Sequence, residues 1–242
     1  AMINFCVSFT TLPSRIENIK KTIESINSQT LKANSVFLNL PYKFKRFKDY
    51  AFTEKQLKDL DKYNLNINRC NDYGPSTKLL GSLKDIQKYD CVIILDDDHI
   101  YHEKMFEILI NGFIKNKKNY SYYVQKVFKL NMGQGADGIL INTKDLDKID
   151  KFYQKYVSNN KNLFLNDDLW ISLYLQFIKN NKIEDLSEEF KIKTNRNIVY
   201  SIHSDVDSLK NELSEGFLNR RKIAKLEYFK FRIFNYFNNL IQ

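Results

Sequence analysis

The run Cys91-Val92-Ile93-Ile94-Leu95 is wholly apolar, and three carboxylates, Asp96, Asp97 and Asp98, follow it at once. A short, branched, continuous apolar run fits a strand buried on both faces of a mainly parallel sheet, which requires helices on either side. Ligands of open α/β sheets bind beyond the carboxyl ends of such strands, where the three acids stand. Like charges packed this closely raise one another's pKa unless a cation intervenes, and carboxylate oxygens are hard ligands suited to Mn²⁺ or Mg²⁺. A divalent-metal site is therefore expected, against the plainer reading of a solvated loop or a cap on a helix starting near Tyr101.

The segments before this run alternate in period. Ile3 to Phe9 reads as a first buried strand, and Ser14 with Glu17 three residues on has the capping-box spacing ahead of the stripe Ile16, Ile19, Ile23 and Ile26. Ser35 to Leu40 and Leu65 to Arg69 read as strands, with a basic-aromatic loop (Tyr42 to Phe47) and a helix from Thr53 to Asp61 between them. A helix carrying Leu79, Leu80, Leu83 and Ile86 leads into the Cys91 strand. Strand and helix alternating over residues 1–115 indicate βαβ units, and beyond them the pattern loosens into α+β. Strands are expected at Tyr120 to Phe128, Gly138 to Asn142 and Asn197 to Ile202, with helices from Thr143 to Val157 and Asp167 to Ile178.

The expected fold class is α/β, a mixed, mainly parallel sheet flanked by helices, with a basic amphipathic helix at the C-terminal end. Residues 1–210 are expected to form one domain, in halves of about 1–115 and 116–210, with 211–242 as a helical extension. In that extension Ile223, Leu226, Phe229, Ile233, Phe237 and Leu240 recur at helical spacing, which predicts a core-facing stripe. Packing on its own domain or dimerisation is the default for such a helix, and peripheral membrane contact is the other option.

With 43% hydrophobic residues, 7 Gly and 3 Pro, the chain is globular rather than disordered or repetitive. Its formal charge of +9 is spread along the sequence, so nucleic acid is not an expected partner. Cys6, Cys70 and Cys91 form no C-x-x-C pair and are expected to be reduced thiols in a cytoplasmic protein. The apolar stretch Ile3 to Phe9 is too short for a cleavable signal, and no run approaches the about 20 apolar residues that cross a bilayer.

Four further features accompany the acids. The turn Gly74-Pro75-Ser76-Thr77 brings Lys78 to a helix start, a potential phosphate cradle or an ordinary capped helix. Gly133, Gly135 and Gly138 fall within six residues, for close approach to a ligand or for a plain bulge. Asn166-Asp167-Asp168 opens a helix carrying Trp170, where a carboxylate can cap the helix or serve as a general base. His203 follows the last predicted strand as a structural residue or a third metal ligand, and His99 is a weaker candidate.

In this order the features resemble a GT-A-fold glycosyltransferase of the family-2-like, D-x-D metal-dependent kind, from Ile3 to about Ser204. The resemblance implies Mn²⁺ or Mg²⁺ held by Asp98, Asp96 and His203, with Asp96 also at the ribose. It implies a donor site bordered by Thr10, Thr11, Pro13, Arg15, Asp72, Lys78 and Asp97. Gly133, Gly135, Gly138 and Trp170 would shape the donor and acceptor pocket, and Asp168, or Asp167, would be the base. Asn39-Leu40-Pro41 stands where many such enzymes carry a base-reading Asp. The implied substrates are a nucleoside-diphosphate sugar, a UDP-sugar by default, and a hydroxyl of a glycan or glycoconjugate. A metal-dependent nuclease or nucleotidyltransferase, and a non-catalytic glycan- or membrane-binding module, are the competing readings.

Overall fold

The computed structural model describes residues 3–47, 49–189, 199–201, 221–233 and 235. Its strands are β1 (Phe5–Thr10), β2 (Ser35–Pro41), β3 (Asn66–Cys70), β4 (Cys91–Ile94), β5 (His99–Tyr101), β6 (Asn119–Ser121), β7 (Val124–Val127), β8 (Leu130–Gly133), β9 (Ile139–Asn142), β10 (Ile183–Asp185) and β11 (Val199–Ser201). Seven of them form one sheet in the order β10-β6-β9-β4-β1-β2-β3. The neighbours β3, β2, β1 and β4 are mutually parallel, and β9 alone runs against its partners β4 and β6. The helices are α1 (Lys20–Asn27), α2 (Glu54–Asp59), α3 (Thr77–Leu80), α4 (Leu83–Ile86), α5 (Met105–Asn116), α6 (Ile149–Phe152), α7 (Lys161–Phe164) and α8 (Asp167–Leu173), followed by a helix over 221–233.

Period-2 geometry divides β4 between two cores. Cys91, Ile93 and Leu95 face α1 and α5 together with Phe5, Val7, Leu38 and Leu40. Val92 and Ile94 face α8 together with Ile139, Ile141, Trp170 and Leu173. All are fully buried, each stabilising the fold by roughly 1.5–3 kcal/mol, so the sheet is covered on both faces as the apolar run required.

Two consequences of this topology place the site. After β1 the chain builds outward to β2 and β3, then returns to the other side of β1 as β4, so the strand order reverses between β1 and β4. A crevice opens at such a reversal, beyond the carboxyl ends. Because β9 is antiparallel and its first residue Ile139 lies opposite Ile94, the glycine segment preceding β9 reaches the same edge.

Several expected elements differ. Ser14 caps nothing: its N–H donates to the Tyr50 hydroxyl, a 3-10 turn covers Ile16–Asn18, and α1 starts at Lys20 without a side-chain cap. The four isoleucines of the stripe are buried as expected. Tyr101 belongs to a strand, β5, rather than opening a helix. The Leu79 to Ile86 helix is broken into α3 and α4 at Gly81, which packs so tightly that an added Cβ would lie 2.7 Å from Asn39. Tyr120 to Phe128 divides into β6 and β7, the second pairing with β8, and the Thr143 to Val157 helix is interrupted into 3-10, α and π turns. Cys6 and Cys91 are buried, which pushes their thiols up and keeps them unreactive, and Cys70 is half-buried.

The last helix docks through a face other than the predicted one. Ala224, Glu227, Tyr228 and Phe231 are buried, with Phe231 against Phe152 and Phe177, while Leu226, Phe229 and Ile233 are exposed and Ile223 is intermediate. Glu227 is held at this buried face by Asn160, Asn162 and Lys230. Phe237 and Leu240 lie outside the described residues. No helix among the described residues is long and apolar enough to cross a membrane.

Candidate active site at the β1–β4 switch point

A cavity of about 210 Å³ lies at the reversal. Its wall on the β1 side is Thr10, Thr11, Leu12 and Arg15, and its floor is Leu95 to Asp98 beyond β4. Asp72, Gly74, Pro75, Thr77 and Lys78 come from the turn between β3 and α3, and Asp167 and Asp168 from the start of α8. Of the expected site residues, Thr10, Thr11, Arg15, Asp72, Lys78, Asp96, Asp97, Asp98, Asp167 and Asp168 are thus brought together.

The three acids after β4 have different main partners, although Asp97 and Asp98 share the Arg15 guanidinium, whose Nη2 lies 3.8 Å from Asp98 Oδ2. Asp97 is buried and occupied within the protein: it accepts from Thr11 Oγ1 at 2.6 Å and from Arg15 Nε at 3.1 Å, and it is ion-paired with the same guanidinium. Its backbone carbonyl accepts from Thr22 Oγ1 at 2.9 Å. Asp97 therefore ties the β1 loop and α1 to the end of β4, which explains why the chain before α1 is shaped by Arg15 rather than capped by Ser14. Breaking such a buried pair leaves an uncompensated charge, so Arg15→Ala is expected to cost about 3 kcal/mol of stability in urea unfolding.

Asp96 points the other way, to the Lys78 ammonium, which also contacts Asp167 Oδ2 at 2.9 Å. Burial disfavours the charge on Lys78, but Asp167, Asp96 and Asp168 outweigh it and raise its pKa, so it is a permanent cation. Lys78 thus joins the β4 acids to the α8 acids. Its carbonyl accepts from Ser8 Oγ at 2.6 Å, which fixes it to β1. The Tyr101 hydroxyl accepts from the Asp96 N–H at 3.1 Å and lies 3.5 Å from the Gly135 carbonyl, linking β4 to the glycine segment.

Asp98 lies beside His99, with Oδ1 and Nδ1 2.6 Å apart. Burial lowers and the Asp98 carboxylate raises the pKa of His99, and the acids prevail. Ligand atoms of Asp96, Asp98 and His99 lie within 4.8 Å of one another, and two carboxylates with an imidazole are a fitting donor set for Mn²⁺ or Mg²⁺. Charge points the same way. The cavity carries six carboxylates (Asp72, Asp96, Asp97, Asp98, Asp167, Asp168) against three cationic side chains (Arg15, Arg46, Lys78), although the whole chain is at +9. An anionic ligand entering it needs a further cation. His203, the expected third ligand, lies outside the described residues; β11, two residues short of it, pairs Ser201 with His99.

The glycines serve different ends. Gly135 donates its N–H to Asp168 Oδ1 at 2.8 Å, and a Cβ there would stand 2.7 Å from both Asp96 Oδ1 and Lys78 Nζ. Gly135→Ala is expected to displace the buried ammonium from its carboxylate partners, weaken ligand binding at least about tenfold in calorimetry and cost about 1–3 kcal/mol of stability. Gly133 and Gly138 are packing positions instead: the first lies against Ile183 and Ile139, and the second, at φ 75°, lies against Met105. Trp170 is likewise core, stacked on Phe152 with Nε1 donating to Ser76 Oγ at 2.8 Å.

The phosphate cradle expected at Gly74 to Thr77 is largely spent. The N–H groups of Tyr73, Gly74 and Thr77 donate to Thr77 Oγ1, Asp72 Oδ1 and the Gly74 carbonyl, and Asp72 also caps the Lys45 N–H at 2.7 Å. Pro13 is outside the lining, and its carbonyl accepts from Gln56 Nε2. Asn39 is no base reader, since its amide is buried between Ser8, Asn68 and Ser82. Phe44 and Arg46 do line the cavity and were not expected to. The signal was present: a basic-aromatic segment directly after Pro41, at the carboxyl end of β2.

No protein-family profile matches this sequence, and no curated protein matches it. Solved structures do match. A mannosyltransferase from Pyrobaculum calidifontis, in complex with GDP-Man and Mn²⁺, superposes at TM-score 0.52 with 11% identity, over 76% of this chain and 55% of that one. The chain has a GT-A-like fold. Residues 1–349 of TarS from S. aureus, in complex with UDP, give 0.50 and 13%, over 82% of this chain and 60% of that one. A cytidylyltransferase from Leptospira borgpetersenii gives 0.52 and 12%, over 88% and 86%. The chain therefore spans little more than half of the first two neighbours and most of the third. Both glycosyl- and nucleotidyltransferases occur on this GT-A-like architecture.

Proposed function

We propose that this chain is a divalent-metal-dependent glycosyltransferase that moves a sugar from a nucleoside diphosphate to a hydroxyl of a glycan or glycoconjugate. The observation that carries the reading is the pair of carboxylate groups facing one cavity, Asp96 and Asp98 from the segment after β4 and Asp167 and Asp168 from α8, with His99 of β5 beside the first pair. Transfer of a sugar needs two separate functions, stabilisation of a departing diphosphate and removal of a proton from the incoming hydroxyl. A divalent ion held by Asp96, Asp98 and His99 would supply Lewis-acid charge for the first.

The chain's own residues supply the rest. Lys78 stabilises negative charge between the two acid groups, and Arg15 fixes Asp97 and hence the direction of Asp96 and Asp98. Asp168, oriented by the Gly135 N–H, is the base that takes the acceptor proton, and attack from the face opposite the leaving group gives inversion. Asp167 holds the Lys78 ammonium. The donor is taken to be a UDP-sugar, with the base and ribose against Thr10 to Leu12, Phe44 and Arg46.

Nucleotidyl transfer is the second reading, favoured by the match over 86% of the cytidylyltransferase. A nucleoside triphosphate brings more negative charge than a diphosphate sugar into a cavity whose Arg15 and Lys78 are already paired with acids, which favours sugar transfer. The products decide. With Mn²⁺, UDP- and GDP-sugars and a panel of glycan acceptors should release nucleoside diphosphate, whereas pyrophosphate release from CTP and a sugar phosphate, with no diphosphate from any sugar nucleotide, would reassign the site.

A further inference from the structure

The face that the last helix turns away from the domain has the chemistry of a lipid-surface anchor, independently of what the cavity catalyses. At 3.6 residues per turn, Leu226, Phe229 and Ile233 fall on one line opposite the buried Ala224, Glu227, Tyr228 and Phe231. They are 50%, 50% and 57% exposed. Arg221, Lys225 and Arg232 run along one side of that line, Lys230 along the other, and Lys222 lies at its N-terminal end, all exposed. The only acid of the 221–233 segment, Glu227, is buried on the docked side. The outer face is thus an apolar stripe with basic margins and no negative charge.

A second element contributes to the same face. Phe128 occupies the two-residue turn between β7 and β8 at φ 53°, a left-handed conformation that Gly or Asn ordinarily takes in hairpin turns. Its ring is 53% exposed, yet it lies 4.9 Å from the ring of Phe229 and carries Lys225 Nζ at 5.4 Å. The same ring stacks on the buried Tyr228 with 5.7 Å between centroids, so the hairpin tip and the helix form one continuous surface on which about half of Phe128 and of Phe229 stays exposed.

We propose that Phe128, Leu226, Phe229 and Ile233 dock this protein on a bilayer surface carrying anionic phospholipid, with the helix lying in the interface. Apolar insertion and attraction of the basic margins to anionic headgroups act together in such helices. Charge complementarity selects this occupant over a second copy of the chain, because pairing two of these faces would oppose two sets of cations with no exposed acid between them.

Flotation of the full chain with vesicles of phosphatidylcholine alone, and of phosphatidylcholine with about one-quarter phosphatidylglycerol, tests it. Binding is expected to the second only and to fall with added salt. Phe229→Glu with Ile233→Glu should weaken it at least about tenfold with an unchanged circular dichroism spectrum, since neither side chain is in the core. Lys222→Gln and Lys225→Gln, which keep every apolar group, should each weaken it about fivefold. Absence of binding to the anionic vesicles, equal binding to both compositions, or full retention by the variants overturns the proposal. Dimerisation in solution that Phe229→Glu abolishes, without vesicle binding, also overturns it and gives the face to a second copy.

Discussion

Asp98→Ala is expected to abolish the effect of Mn²⁺ on nucleoside-diphosphate binding and to lower sugar transfer by about 10³-fold or more, several kcal/mol of lost charge stabilisation. Asp98 shares the 4.8 Å cluster with Asp96 and His99, and its removal leaves one carboxylate and one imidazole, a poor site for a hard cation. The fold should survive, because Asp98 meets Arg15 only at 3.8 Å and is not the acid that makes the close contacts to the β1 loop. Asp97 is, and Asp97→Ala is the contrasting control: it should destabilise the protein through the stranded Arg15 guanidinium. Calorimetry of UDP with and without Mn²⁺, beside urea unfolding of both variants, checks the separation. A Mn²⁺ response that survives Asp98→Ala and disappears in a fully folded Asp97→Ala protein would exchange the two roles.

Asp168→Asn is expected to keep donor binding and lose turnover by about 10²–10⁴-fold, the range of a general base. The amide can still accept the Gly135 N–H that the carboxylate accepts at 2.8 Å, so the loop should remain in place while basicity is lost. Asp167→Asn should behave differently, weakening the Lys78 contact and with it donor binding as well as turnover. Single-turnover kinetics with a saturating donor separate the two effects, and near-normal turnover in Asp168→Asn would transfer the base to Asp167.

The central strand and the position of the cavity were legible because both follow from local rules. An apolar run with no period must be covered on both faces, and acids directly after it must lie at the carboxyl edge. Contacts across 18 or more residues were not legible. That Lys78 binds Asp96 and Asp167, while Asp97 binds Arg15, depends on α3, α8 and the β1 loop meeting at the switch point. The glycines show the same limit. Gly133, Gly135 and Gly138 look equivalent in sequence, yet only Gly135 adjoins the acids, the others leaving room for Ile183 and Met105.

The last helix was misread for a different reason. It carries apolar residues on two faces, and the longer stripe, from Ile223 to Leu240, is the one that pattern assigns to the core. The domain instead offers Phe152 and Phe177, which suit the aromatic Tyr228 and Phe231, so the stripe of Leu226, Phe229 and Ile233 faces outward. Pattern identifies amphipathic faces, but tertiary shape chooses between them.

Thermal unfolding with UDP and GDP, each with and without Mn²⁺, tests the account most directly, because nucleotide class and metal dependence are read together. A ligand at about 100 times its Kd stabilises by about 2.7 kcal/mol, so at least one nucleoside diphosphate should raise Tm by about 5–10 °C with Mn²⁺ and by far less without it. An unchanged Tm with both diphosphates in the presence of Mn²⁺ would contradict it.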